Sequence, residues 1–295
     1  MKDFQNFIAI DWSGAKAIRT QSIAVAKVTF GTDSPALVYP DDGGPWSRQM
    51  VEQFIEAQTS KSHRTLISID CNFSYAKKIL VQQFPEAQSA FNLWEKVDEY
   101  SQEAGNYFAQ PFWTHANIKN TFWLKGKKPE NFTIEKRLAE IMCGQQGFGW
   151  PESPFKLIGP KQVGKGGLAG MRMLHNLRKA LKQKIAVWPF DSCQSCNNAQ
   201  IVVTEIYPRL FIRKAGYGSA KLKTSEELNK ALNYFKTSII LPEKMNDHQA
   251  DAMISATGMR YLMQTQEALF DVNSLPLHLQ NLIHFEGWIL GVKPD

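Results

Sequence analysis

A chain of 295 residues, 43% apolar, 21% charged and 12% aromatic, can bury a sizeable core; it has no low-complexity tract or repeat, which excludes disordered and solenoid classes. A formal net charge of +6 and a pI near 9.0 admit an anionic partner such as nucleic acid without requiring one. No stretch approaches the roughly 18 apolar residues of a membrane span or the core of a signal peptide, and four scattered cysteines suit a reducing compartment, so a cytoplasmic protein with no membrane partner is expected.

In chain order, FIAIDWSGAK (7–16) buries Phe7, Ile8, Ala9 and Ile10 and then stops on Asp11 before turning at Ser13 and Gly14. TQSIAVAKVTF (20–30) alternates as a half-buried strand does, and PALVYP (35–40) offers a third short strand. DDGG (41–44) breaks the pattern, and WSRQMVEQFIEAQ (46–58) sets Met50, Val51, Phe54 and Ile55 on one helical face. RTLISID (64–70) has the unbroken apolar run of a strand buried on both faces, and it too ends on a carboxylate, Asp70.

From about 85 to 196 the pattern predicts helical pieces at 89–103 and, behind a Thr133 cap, at 133–143. An aromatic-rich loop spans 107–123, and a long helix follows at 168–183 with Leu168, Met171, Leu174, Leu177 and Leu181 inward. QIVVTEIYP (200–208) is a third buried run, interrupted by Glu205 and stopped by Pro208. TSEELNKALNYFK (224–236) opens with a capping box. NDHQADAMISATGMRYLMQ (246–264) is a helix that Asn246 or Asp247 can cap, with Asp247, His248 and Asp251 on one side. The expected architecture is therefore mixed α/β in a single domain, with a core of 1–84 and 197–295 and a long, mostly helical and loop insertion, 85–196, as a cover.

A carboxylate at the end of a buried strand calls for a hydrogen bond, an ion pair or a metal, because desolvating its charge costs several kcal/mol. Strand ends are where open α/β sheets hold ligands, so Asp11, Asp70 and Glu205 can converge, with the last helix laying His248 and Asp251 against the same place. Crowded carboxylates repel one another. A hard divalent cation removes that repulsion, and Mg²⁺ takes a few carboxylates plus water and phosphate oxygens. Two such ions about 3.5–4 Å apart can activate water and stabilise the leaving oxygen of a phosphodiester. Each residue also has a plainer reading: Asp11 as a turn former before Ser-Gly, Asp70 as a helix cap, Glu205 as the partner of Arg209 or Arg213, Asp247 as a cap, and His248 as an ordinary surface or core histidine.

IDWSG, ISID, TEIYPR, the glycine-rich QVGKGGLAGM and the terminal DHQADA, in that order, resemble the RNase H-like superfamily, and within it the uncharacterised bacterial family of predicted RNase H-like nucleases. The last helix is also similar to that of RuvC-type resolvases, where an acid or His stands three residues before an Asp-Ala pair, as His248 stands before Asp251-Ala252. The resemblance covers 4–84 and 200–264, with the glycine-rich match in the insertion. It implies an RNase H-like mixed sheet flanked by helices, and a nuclease using Mg²⁺ or Mn²⁺ on DNA or RNA. It implies Asp11, Asp70, His248 and Asp251 as metal ligands and, with Glu205 in an assisting place that has no fixed counterpart in the resolvases, Asp11, Asp70, Glu205 and Asp251 as catalytic.

Ser13, Lys161, Lys165 and Arg172 are candidate substrate contacts, the last three from a basic glycine-rich segment (156–172) before a helix. GPKQVGKG (159–166) narrowly misses a phosphate loop, since Gly166 stands where Ser or Thr would hold Mg²⁺. Cys193 and Cys196 form a CxxC without the second pair a structural zinc needs. Phe108, Phe112, Trp113, Phe122 and Trp123, interleaved with His115, Lys119, Lys125, Lys127 and Lys128, either stack bases or form core beside a solvated loop. Two other functions remain open: an actin-like ATP-dependent phosphotransferase, and a catalytically idle scaffold that binds nucleic acid.

Overall fold

The computed structural model describes residues 3–294 apart from 119, 131, 160–162, 219, 220, 223 and 239–244. Eight strands are present among them: β1 (Asn6–Asp11), β2 (Arg19–Thr20), β3 (Ala24–Thr29), β4 (Ala36–Val38), β5 (Trp46–Ser47), β6 (Thr65–Ile69), β7 (Ile185–Val187) and β8 (Ile201–Glu205). Six of them build one sheet in the order β4-β3-β1-β6-β8-β7, and β2 pairs with β5 in a separate ribbon. The β1-β3-β4 meander is antiparallel, whereas β6 joins β1, and β8 joins β6, in parallel. A mixed sheet flanked by helices follows, as the alternation of patterns predicts.

Burial on both faces explains the unbroken apolar runs of β1, β6 and β8. Ile8, Ile10, Ile67, Ile69, Ile201 and Val203 share one core with Leu168, Met171 and Leu174 of the helix Gly164–Leu181. Phe7, Ala9, Leu66 and Val202 share the opposite core with Ala250, Ala252, Ile254 and Met259 of the helix Asp247–Gln264. Successive side chains of a strand alternate between these two layers. Ser68 makes the second contact specific: its Oγ lies 2.5 Å from Thr204 Oγ1 and donates to Met259 Sδ at 2.8 Å, so Thr204 donates to Ser68.

Several expected elements differ in extent. The helix placed at 133–143 begins only at Leu138, because Thr133 Oγ1 instead accepts the Glu135 N–H in a local turn. The helix placed at 168–183 starts at Gly164, inside the glycine-rich segment. The 85–196 stretch also does more than cover the sheet: it supplies the edge strand β7 and one of the two flanking helix layers. The ribbon, β7 and the helix Leu277–Glu286 are too short or too weakly periodic to stand out in the sequence.

Glycines let the helix Gly164–Leu181 approach the strand ends backbone to backbone. A Cβ at Gly14 would overlap the Lys165 carbonyl group and the Gly166 nitrogen, one at Gly167 would overlap the Asn72 amide, and one at Gly170 would press on Cys71 Sγ. Trp12 Nε1 seals the contact by donating to the Gly166 carbonyl at 3.0 Å. Gly14→Ala is expected to lower unfolding free energy by about 2 kcal/mol or more, as forced overpacking does. Gly105→Ala, where an added Cβ meets nothing within 4 Å, is expected to be near neutral. Urea unfolding of the two variants checks the contrast.

Candidate active site

The parallel pairing of β1 and β6 fixes the centre. Ile10 is level with Ile69, and the Asp70 N–H donates to the Ile10 carbonyl at 2.9 Å, so Asp11 and Asp70 are neighbours one step beyond. Adjacent strands lie about 4.8 Å apart. By alternation both carboxylates fall on the layer of the helix Asp247–Gln264, which Asn246 caps by accepting from the Gln249 N–H. That helix brings His248 and Asp251 to them. His248 Nδ1 donates to Asp11 Oδ1 at 3.0 Å, and Lys221 Nζ lies 3.1 Å from Asp247 Oδ2 and 3.9 Å from Asp251 Oδ2.

The electrostatics are those of crowded acids. Burial, opposed by the His248 hydrogen bond, raises the pKa of Asp11. Asp70 is pushed well above the usual carboxylate range, first by burial and then by the charges of Asp11, Asp251 and Glu205. Asp251, whose side chain is 13% exposed, is pushed up to about 7 by burial and then by Asp11. Among the described residues its buried Oδ1 has no hydrogen-bond partner. The hydrogen bond to Asp11 raises His248. For Lys221 burial works against the charge, yet Asp251, Asp247 and Asp11 together raise it.

Glu205 is placed differently. It is level with Ile69, one residue short of Asp70, so its side chain enters the opposite layer. There Arg137 grips it bidentately, Nη2 to Oε1 at 2.5 Å and Nη1 to Oε2 at 2.8 Å, and Oε2 also accepts the Phe73 N–H at 3.2 Å. This corrects one expectation, since the partner is Arg137 rather than Arg209 or Arg213, and it sets Glu205 apart from the other acids, on the opposite layer and held by structural donors at both oxygens. Arg137 also donates to Glu140 Oε1 at 3.0 Å and to the Glu286 carbonyl at 3.1 Å. Burial opposes its charge, and Glu205 with Glu140 overcomes that.

The expected substrate contacts separate too. Ser13 stands at the turn after β1, its Oγ accepting the Ala15 N–H at 3.2 Å, and Lys165 lies in the first turn of the helix that abuts Gly14. Lys165 Nζ is 5.9 Å from the Trp113 ring centre, and burial lowers its pKa. Arg172 is no substrate contact: it is buried, paired with Asp98 at 2.9 Å and donating to the carbonyls of Ala104 and Phe108. Lys161 lies outside the described residues, as do 160 and 162 of the near phosphate loop and Lys119 of the aromatic stretch. Phe112, Trp113 and Phe122 are core and Phe108 packs against it, so that stretch is mainly interior packing. Cys193 and Cys196 sit on the short helix Cys193–Asn198 as free thiols.

Among the described residues no three or more His, Cys, Asp and Glu side chains are gathered into a metal-holding group. Asp11 is turned to His248, and Asp251 to Lys221. Lys221, Arg137 and Glu286 were not singled out in the sequence. Lys221 lies in a lysine-rich stretch between helices where no period marks it; Glu286 is remote in the chain from the amides it accepts, and Arg137, though paired with nearby Glu140, is remote from Glu205. No family model, curated protein or solved structure matches this chain.

Two outcomes are expected. Arg137→Met, which strands the buried Glu205 charge, should cost roughly 3–5 kcal/mol, and pairing it with Glu205→Leu should recover part of that loss in chemical denaturation. Between the usual aspartate pKa and about 7, folded Asp251 holds a proton that the unfolded chain has released. Stability therefore falls as pH rises through that window, by roughly 4 kcal/mol at most. His248 acts in the same sense: its raised pKa adds stability below the ordinary histidine range, lost as pH climbs past the raised value. Thermal melts in EDTA should thus show a higher Tm at pH 5 than at pH 7.5, and Asp251→Asn should flatten the difference.

Proposed function

We propose that this protein is a divalent-metal-dependent phosphodiesterase of RNase H-like architecture acting on nucleic acid, with Asp11, Asp70 and Asp251 as the carboxylates that hold Mg²⁺ or Mn²⁺. The single observation that carries the reading is that β1, the end of β6 and the helix Asp247–Gln264 bring Asp11, Asp70 and Asp251 near enough for Asp70 to feel the charges of Asp11 and Asp251, and Asp251 that of Asp11, while burial raises all three. Such crowding destabilises the metal-free chain, and strongly shifted carboxylates of this kind concentrate at functional sites. Asp251 Oδ1, which has no hydrogen-bond partner among the described residues, gives a hard oxygen donor for a cation.

Further support comes from the strand order. A β1-β3-β4 meander followed by parallel strands added on the far side of β1 agrees with the element order on which the RNase H-like resemblance rests. A bound cation would bring Lewis-acid activation of water or of the phosphate oxygen. Of the chain's own groups, His248 orients Asp11 through its Nδ1 hydrogen bond and keeps a second ring nitrogen for proton transfer, while Ser13 and Lys165 border the strand end where a phosphate would approach. Glu205 serves the scaffold by fixing Phe73, three residues past Asp70.

One observation favours a second reading, a catalytically idle scaffold: Lys221 already offsets Asp247 and Asp251 with no metal. Cleavage of labelled single- and double-stranded DNA and RNA in Mg²⁺ and in Mn²⁺ separates the two. Asp11→Asn, Asp70→Asn and Asp251→Asn are each expected to lower cleavage by about a hundredfold or more while the fold persists in circular dichroism. Intact substrates in both metals, with nucleic-acid affinity unchanged in the variants, would favour the scaffold.

A further inference from the structure

We propose that Lys221 is a resident counter-ion that competes with the divalent cation and so sets the metal concentration at which the site loads; the proposal rests on the metal-dependent reading above. Its ammonium reaches Asp247 at 3.1 Å and Asp251 at 3.9 Å, and its charge is felt by Asp11 and Asp70 as well. Besides His248, it is the cation that lowers the pKa of both Asp11 and Asp251.

The other groups around it are accounted for. Asp247 and Asp251 come from the helix Asp247–Gln264, as does His248, which is committed to Asp11; Asp11 and Asp70 come from the sheet. A monovalent ammonium 3.9 Å from Asp251 Oδ2 leaves Oδ1 of the same carboxylate without a hydrogen-bond partner among the described residues. Lys221 therefore neutralises part of the cluster without filling its donor set. A divalent ion binding to Asp251 must either displace the ammonium or bear its repulsion at a few ångströms, and both weaken binding. Half the Lys221 side chain is exposed, 48%, so the ammonium has a route into solvent when the metal arrives.

Mn²⁺ binding to the full chain, followed by the electron paramagnetic resonance signal of free Mn²⁺, tests this without any substrate. Lys221→Met is expected to tighten Mn²⁺ binding by about tenfold or more, the scale of removing one unit charge a few ångströms from the ion. Lys221→Arg, which keeps the charge, should stay near wild type. Lys230→Met makes the same change of charge on an exposed helix, where Lys230 pairs with Glu226 at 2.7 Å, and should leave affinity unchanged. Equal Mn²⁺ affinity in wild type and Lys221→Met would overturn the counter-ion role and leave the metal site standing. Equal tightening in Lys221→Met and Lys230→Met would also overturn it, as a bulk charge effect. Absence of Mn²⁺ binding in every variant would overturn the metal site itself and this inference with it.

Discussion

Two aspartates at the same level on neighbouring parallel strands are the constraint around which this molecule is arranged. Water cannot solvate them fully where they sit, and a few ångströms between like charges raise the free energy of each ionised form. A folded chain relieves that strain by protonation, by counter-ions or by a bound cation. Here the first two are in place: His248 donates to Asp11, Lys221 stands beside Asp251, and the acids hold their protons to higher pH than usual. Among the described residues the arrangement still leaves one oxygen of Asp251 without a partner.

The surroundings hold this strained centre in shape from both sheet faces. On one side, the Ser68, Thr204 and Met259 contact fixes the helix that carries His248 and Asp251 against β6 and β8. On the other, glycines allow the helix Gly164–Leu181 to lie against the turns that follow Asp11 and Asp70, closer than any side chain would permit. Arg48, fully buried in the same region, donates to the carbonyls of Ser13 and Ala15 and so fixes the first of those turns. Backbone contacts and buried arginines therefore set where the carboxylates point.

Much of this was legible in the sequence because it is written in local patterns. The buried runs ending on Asp11 and Asp70 give strands and strand-end acids, and the Asn246 cap with the following helix gives His248 and Asp251 on one side. Glu205 misled because one residue of register decides the face: an acid at the end of a buried strand reads alike whether it enters the site or meets an arginine on the far side. Arg172 misled for a related reason. A basic residue in a glycine-rich segment looks like a phosphate contact until the helix is found to begin at Gly164, which turns Arg172 inward to Asp98. Lys221 and Arg137 were invisible since their importance comes only from partners at least 26 and 68 positions away, apart from the adjacent Glu140.

The carboxylate of Glu286 accepts the amides of Lys77 and Leu138, both at 2.8 Å, while the carbonyl beside it in the chain, that of Phe285, receives the Ser74 hydroxyl. Three distant parts of the polypeptide are thus knotted at a single acidic side chain close to the carboxyl end. The helix Leu277–Glu286 acts as a keystone, tying the segment after β6 to the start of the helix Leu138–Gln145 through hydrogen bonds at its own last turn.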